Sequence, residues 1–94
     1  MDRDKVVSPG DAYEQTMYII QKIERSLMQL GCNLSNVIRT RIFVINIENW
    51  NDIGKAHAHF FEGIKPVTTM VEVNRLIHPD LVVEIEVSAV TMII

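Results

Sequence analysis

Two hydrophobic periods follow one another along this chain, and each predicts a different kind of element. Apolar residues recur at spacings of three and four from Tyr13 to Leu30, which places them on one side of a helix. Asp11 followed by Glu14 can form a capping box at the start of this helix, and Gly31 can end it. The residues predicted to face inward are Tyr13, Met17, Ile20, Ile23, Leu27 and Leu30.

β-Branched residues dominate residues 37–47 and predict a strand, after which Asn49 or Asn51 can cap a second helix. Gly63 is placed to end that helix. Two further strands are predicted at about residues 67–75 and 81–93, giving the order αβαββ and the α+β class. The inward side of the second helix consists of Trp50, Ile53, His57, Phe60 and Phe61.

Alternation within the strands predicts one apolar face beneath the helices and one mixed face. The mixed face is too apolar at one end for water and too charged at the other for a core, which predicts a subunit interface. The apolar face is predicted to hold Thr40, Ile42, Val44, Val71, Val73, Val83, Ile85, Val87 and Ala89. The mixed face is predicted to hold Arg39, Arg41, Phe43, Ile45, Ile47, Thr68, Met70, Glu72, Asn74, Glu84, Glu86, Ser88, Val90 and Met92.

Composition narrows the class of protein. A length of 94 residues predicts a single domain over residues 1–94, and 48% hydrophobic with 22% charged residues is typical of a globular chain. The net charge of -3 and the scattered basic residues argue against a nucleic-acid partner. A single cysteine and the lack of an apolar run near the ~20 residues of a membrane span predict a cytoplasmic protein with no membrane association.

Two segments near the end of the chain carry a family resemblance. They are P-V-T-T-M-V-E-V at residues 66–73 and V-E-I-E-V-S-A-V at residues 83–90. Together with upstream features in the same order, they resemble the RidA/YjgF/L-PSP family over about residues 10–93. The upstream features are Gly10-Asp11, Gln15-Thr16, Gly31, the run from Val37 to Val44 and Phe60-Phe61.

The resemblance implies a chorismate-mutase-like (RidA-like) sheet with two helices on one face. It also implies a homotrimer with small-molecule clefts at the subunit boundaries, and hydrolysis of enamines and imines in the best-studied members. Such proteins usually carry extra strands before the first helix. Residues 1–9 are too few for the family's N-terminal strands. The expectation is that either the start of the protein is missing from this sequence, or the sheet has an unprotected edge that must find another partner.

The family resemblance also implies which residues line the cleft, and this chain departs from the pattern. Thr68 stands where imine-hydrolysing members have an arginine that binds the substrate carboxylate, and threonine offers one donor and no charge. Gly54 stands at the family asparagine and Met70 at the position that often holds cysteine. Glu84 matches the glutamate that positions the attacking water in active members.

The two glutamates of the last strand could do chemistry or simply form ion pairs. Glu84 and Glu86 are two residues apart on one face, roughly 7 Å along the strand, so each disfavours the other's ionisation. A carboxyl group tuned in this way can take a proton from water and return it to a leaving amine, with Glu84 the stronger candidate. The alternative is that both pair with Arg39 and Arg41.

Other polar residues also have two interpretations. Thr68 could hydrogen-bond a small ligand with Met70 as a soft wall, or could only pack in the sheet. His57 could reach the cleft or lie in the core, and it diverges from His59 by about 200° on a helix, so the two cannot share a metal ion. Cys32 follows a helix C-terminus, which predicts an unreactive thiol. We expect no metal and no cofactor.

Two functions from different classes remain on the sequence alone. The first is a small-molecule-binding oligomer that keeps the cleft without the standard 2-imino acid deaminase chemistry, as Thr68 suggests. The second is an imine or enamine hydrolase with altered specificity, as Glu84 suggests. Endoribonuclease activity is a weaker third alternative, because the chain is acidic and has no aromatic or basic platform for RNA.

Overall fold

The computed structural model describes residues 8–91, and over that range it confirms the order αβαββ. The helices are α1 (Ala12–Gln29) and α2 (Trp50–Phe61), and single 3-10 turns at Leu34–Asn36 and Ile47–Asn49 precede β1 and α2. The strands are β1 (Val37–Val44), β2 (Val67–Glu72) and β3 (Val83–Ala89). Each strand is shorter than its predicted range, and residues 92–93 of the last predicted strand lie outside the described residues.

The three strands form one mixed sheet in the order β2-β1-β3. β1 is central, pairing in parallel with β2 and antiparallel with β3, with a register irregularity between Val37 and Arg39. A parallel pair needs a crossover connection, and α2 supplies it between β1 and β2. Within residues 8–91, β2 and β3 are therefore both edge strands, and no other strand pairs with them.

Asp11 and Gly31 lie at the ends of α1 as predicted, but only half of the predicted capping box forms, because the Asp11 backbone N–H donates to the Ser8 carbonyl oxygen. The Asp11 side chain accepts a hydrogen bond from the Glu14 backbone N–H at 2.9 Å, and Gly31 adopts φ +79° just beyond the helix, where glycine carries no steric penalty. Leu30 does not face inward as predicted but is 77% exposed, because it is the C-cap residue and has left helical geometry. Trp50, predicted to face inward at the other helix, is 61% exposed at its first position.

The core lies between the two helices and one face of the sheet. One apolar cluster joins Ala12 of α1 and Ile53 of α2 to the sheet, and a second surrounds Ile20 and Phe61. Burial of these side chains is the main favourable term that holds the layers together. The sheet residues of the two clusters include Val37, Ile42, Val44 and Val83.

A buried glutamine fixes α1 to the loop before β3. The Gln15 side chain is 2% exposed, and its amide group donates to the carbonyl oxygens of Ser8 and Asp80 at 3.1 and 2.9 Å. Its own carbonyl oxygen accepts from the Val82 N–H at 2.9 Å. Every polar atom of this side chain therefore has a partner, as burial requires.

The second face of the sheet has no helix over it in residues 8–91 and is here called the open face. Arg39, Arg41 and Phe43 of β1 lie on it, and the pairing register adds Glu84 and Glu86 of β3, as predicted. β2 contributes Val67 and Val71 to the open face, and these side chains are 62% and 42% exposed. The apolar side of β2 therefore points away from the core of its own chain.

Candidate functional site

The orientation of β2 decides which residues can form a site, and the sequence-based prediction of this orientation was wrong. Thr68 and Met70 pair in register with Thr40 and Ile42, both buried beneath the helices. Paired residues of neighbouring strands point to the same face, so Thr68 and Met70 face the helix side rather than the mixed face. Val71, predicted to lie under the helices, lies on the open face instead.

Three polar side chains on the helix side form a continuous hydrogen-bonded chain. His57 Nε2 of α2 lies 2.9 Å from Thr40 Oγ1, and Thr40 Oγ1 lies 3.1 Å from Thr68 Oγ1. The Thr68 hydroxyl in turn donates to the Pro66 carbonyl oxygen at 3.1 Å. Thr40 is completely buried and Thr68 is exposed, so the chain runs from beneath α2 to the surface at the β2 edge.

His57 is held in place from two sides. Its ring lies 4.7 Å from the ring of Phe61, one turn later on α2, while Nε2 contacts Thr40. Burial lowers the pKa of His57, because desolvation disfavours the charged imidazolium. The imidazole is therefore neutral at neutral pH, and the chain from His57 to Thr68 carries no formal charge.

Gly54 leaves room beside the hydrogen-bonded chain from His57 to Thr68. It lies three residues before His57 on α2, so both share one side of the helix. A Cβ atom placed on Gly54 would meet no heavy atom within 4 Å. Gly54 thus borders open space next to His57.

Met70 is less available than Thr68. It is partly buried, packs against the cluster that includes Ile42, Val44 and Ile53, and pairs in register with Ile42. Its role as a cleft wall stays a prediction, since a large part of the side chain belongs to the core of its own chain.

Glu84 lies apart from these residues. It pairs in register with Phe43 and points to the open face, whereas Thr68 points to the helix side. Glu86, two residues on, forms an ion pair with Arg41, which confirms the predicted pairing for that glutamate. Within residues 8–91, the Glu84 carboxylate makes no ion pair. A single subunit therefore cannot bring Glu84 and Thr68 to one small ligand.

Thr40 is the site residue that sequence reasoning missed. It was assigned to the apolar face for packing alone, although it is the one polar residue among the inward positions of β1. A buried hydroxyl needs a hydrogen-bond partner, and that requirement was the available signal. The identity of the partner, His57, depends on how α2 crosses β1, which a sequence pattern does not give.

The described residues do not point to metal chemistry. Among residues 8–91, no three histidine, cysteine, aspartate or glutamate side chains lie close enough together to hold a metal ion. His57 is engaged with Thr40, and His78 lies in the loop before β3, where its ring accepts from the Asp80 N–H. Cys32 is half-buried just after α1 and packs against the second apolar cluster.

The lowered pKa of His57 makes a testable contribution to the pH dependence of stability. Above about pH 7, His57 is neutral in the folded and unfolded chains. As pH falls through about 6.5, the unfolded chain takes up the proton first, so the free energy of unfolding should fall and then level off below the folded-state pKa. His57→Gln keeps an N–H donor for Thr40 without titrating, and should flatten the decline.

Urea denaturation between about pH 7.5 and about pH 5.5 measures this effect. His59→Gln is the matched control, because His59 is exposed on the same helix. That control should keep the decline of the unmodified protein. An equal decline in His57→Gln would show that burial of His57 does not contribute to it.

The described residues form a small α+β unit with two helices on one side of a mixed sheet and a hydrogen-bonded chain of polar side chains at a sheet edge. The sequence profile of the family described as Endoribonuclease L-PSP matches residues 1–91. The chain belongs to this family, which includes the RutC and YjgF proteins. This assignment agrees with the resemblance found in the sequence. No helix within residues 8–91 has the length and hydrophobicity needed to span a membrane.

Curated proteins are similar to this chain over most of its length. An uncharacterized protein of Streptomyces coelicolor, SCO2049, is 31% identical over 86 residues, which are 92% of this chain and 64% of that protein. A RutC family protein of Pyrococcus abyssi is 29% identical over 85% of this chain and 62% of its own length. The chain thus spans less than two thirds of the length of these curated relatives.

Solved structures confirm the fold. Rv2704 of Mycobacterium tuberculosis, described as a member of the YjgF/YER057c/UK114 family, superposes with a TM-score of 0.87 at 46% identity. The match covers 89% of this chain and 71% of Rv2704. Yeast Mmf1 superposes with a TM-score of 0.85 at 24% identity, covering 95% of this chain and 70% of Mmf1, and shows the fold alone.

Proposed function

We propose that this protein binds a small molecule in a cleft between the subunits of a homotrimer and does not catalyse the standard hydrolysis of 2-imino acids. One observation carries the proposal. Thr68, at the position where the family resemblance places a carboxylate-binding arginine, ends a neutral hydrogen-bonded chain with Thr40 and His57. A 2-imino acid carries a carboxylate. The three hydrogen-bonded side chains are neutral and offer that carboxylate no positive charge.

The open face supports the inter-subunit part of the proposal. Phe43 and Val71 lie on it as a register pair, with Val67 nearby, and Arg41 and Glu86 form an ion pair beside them. An exposed apolar patch bordered by charges is typical of a protein-protein interface. Glu84 and Thr68 lie on opposite faces of the sheet, so packing one subunit's open face against another's β2 edge is the way to bring both to one ligand.

A hydrolase with altered specificity is the second candidate function. It is favoured by Glu84, whose exposed carboxylate makes no ion pair within residues 8–91 and could activate a water molecule. Such an enzyme would act on an imine or enamine whose recognition does not depend on a carboxylate-binding arginine. Endoribonuclease activity, which the family description names, is a weaker alternative for a chain of net charge -3. RNA cleavage that disappears in Glu84→Gln would be the result in its favour.

We further propose a cytoplasmic location and function without a cofactor. These two proposals rest on the sequence, with its single cysteine and its lack of a cofactor motif.

The test is ammonia release from 2-imino acids generated in solution by an amino-acid oxidase. The unmodified protein and Glu84→Gln should both leave the rate at that of the buffer. Thr68→Arg should accelerate release by about 10- to 100-fold, because it adds a charge-assisted contact to the substrate carboxylate. Thr68→Gln is the matched control, since it adds a long hydrogen-bonding side chain without charge, and it should not accelerate release.

The opposite pattern would establish the second candidate. If the unmodified protein accelerates ammonia release and Glu84→Gln abolishes the acceleration, the protein is an imine hydrolase and the proposal is wrong.

A further inference from the structure

The hydrogen-bonded chain between α2 and β2 has a fixed direction, which follows from counting protons. A threonine hydroxyl has one proton to donate and two lone pairs that accept. The Pro66 carbonyl oxygen can only accept, so the single proton of Thr68 is used in the bond to Pro66. Thr40 must therefore donate its own proton to Thr68.

The same count of protons determines which ring nitrogen of His57 carries the proton. Because the Thr40 proton points to Thr68, Thr40 can only accept from His57, so His57 carries its proton on Nε2. Burial, which keeps the imidazole neutral, leaves Nδ1 without a proton. The direction of donation is therefore from His57 through Thr40 and Thr68 to the Pro66 carbonyl oxygen.

Thr68 consequently presents an acceptor to the surface. Its proton points to Pro66, one lone pair receives the Thr40 proton, and the second lone pair remains on an exposed side chain. A ligand oxygen could take the Thr68 proton only if the bond to Pro66 were broken. A ligand N–H or O–H can use the free lone pair without disturbing any of the three hydrogen bonds.

The charge that β2 contributes to this face points the same way. The β2 residues that share the side of Thr40 are Thr68, Met70 and Glu72, so the only charge that β2 contributes to this face is a carboxylate. The Glu72 carboxylate accepts from the Ile47 N–H and is thereby fixed at the far end of the strand. Neither the threonine nor this carboxylate attracts an anion.

We propose that the cleft at Thr68 selects uncharged ligands that donate a hydrogen bond, such as a primary amide or an alcohol, and discriminates against carboxylates. This inference rests on the proposed function, because it names the ligand class of the same cleft. The new element is that Thr68 acts as a hydrogen-bond acceptor. This role determines which ligands bind, whether or not the protein then breaks a bond in the ligand.

Three small probes of nearly equal shape test the inference. Propanamide carries an N–H donor, butanone replaces that amino group with a methyl group, and propanoate replaces it with an anionic oxygen. Their binding is followed by two-dimensional NMR through the backbone amide signals of Thr68 and Gly54. Propanamide should bind about three- to tenfold more tightly than either of the other probes, as one hydrogen bond accounts for.

Variants at Thr68 separate the hydroxyl from its surroundings. Thr68→Val keeps the shape and removes the acceptor, so the preference for propanamide should disappear. Thr68→Ser keeps the hydroxyl and should keep the preference. Thr68→Arg replaces the acceptor by charged donors, and should shift the preference to propanoate.

The inference is overturned by equal or tighter binding of propanoate to the unmodified protein, or by a propanamide preference that survives in Thr68→Val. It is equally overturned if no probe shifts the Thr68 and Gly54 signals up to its solubility limit. These outcomes are distinct from failure of the proposed function, which is read from ammonia release. A protein that prefers propanamide and also hydrolyses 2-imino acids would uphold the acceptor at Thr68 and refute only the proposed lack of hydrolysis.

Discussion

Phe61→Ala should lower the free energy of unfolding by about 3–5 kcal/mol, a large part of the roughly 5–15 kcal/mol that holds a domain of this size folded. Phe61 is 2% exposed and belongs to the apolar cluster that joins both helices to the sheet. Its ring also contacts His57, so the cavity left behind would disturb the hydrogen-bonded chain to Thr68 as well.

Urea denaturation followed by circular dichroism measures this loss, with the protein concentration held constant because the proposed subunit association would contribute to stability. Trp50→Ala is the matched control, an aromatic residue of the same helix that is 61% exposed. It should cost less than about 1 kcal/mol. If Phe61→Ala also lowers the free energy of unfolding by less than about 1 kcal/mol, Phe61 is not part of the packed core.

If the proposed trimer forms, Phe43→Glu should convert it to monomers at micromolar concentration without unfolding the subunit. Phe43 lies on the open face between Val71 and Glu84 in the pairing register. In an isolated subunit, a glutamate there would remain accessible to water. In the proposed interface, each copy would bury an unpaired carboxylate beside Glu84, at a cost of several kcal/mol.

Sedimentation velocity gives the association state, and circular dichroism checks the fold. Gln21→Glu makes the same change in charge at an exposed position of α1, on the other side of the sheet, and should leave the trimer intact. If Phe43→Glu sediments like the unmodified protein, the open face is not the subunit interface.

The elements that the sequence predicted well are those whose pattern reflects burial within one chain. The middle of the apolar stripe of α1, at Ile20, Ile23 and Leu27, and the inward side of β3 were both predicted from periodicity and are confirmed. In these segments, the apolar side chains are buried against other residues of the same chain. Periodicity therefore reported the fold directly.

β2 shows where this reasoning fails. Its alternate valines suggested an inward side, yet Val67 and Val71 are exposed and Thr68 and Met70 face the helices. Hydrophobic alternation reports burial in the final assembly, and in an edge strand the more apolar side can be the one that meets another subunit. The contact of Thr40 with His57 was missed for a related reason, since it depends on how α2 crosses β1.

In the proposed trimer, Thr68 of one subunit and Glu84 of another meet in one cleft. We would test it with the double variant Thr68→Cys/Glu84→Cys in a Cys32→Ser background, treated with a short bismaleimide. The sheet separates positions 68 and 84 within a chain, so the linker can join them only between chains. We expect covalent trimers on a denaturing gel for the double variant and none for either single variant. Recovery of single chains alone from the double variant would show that Thr68 and Glu84 do not meet between subunits.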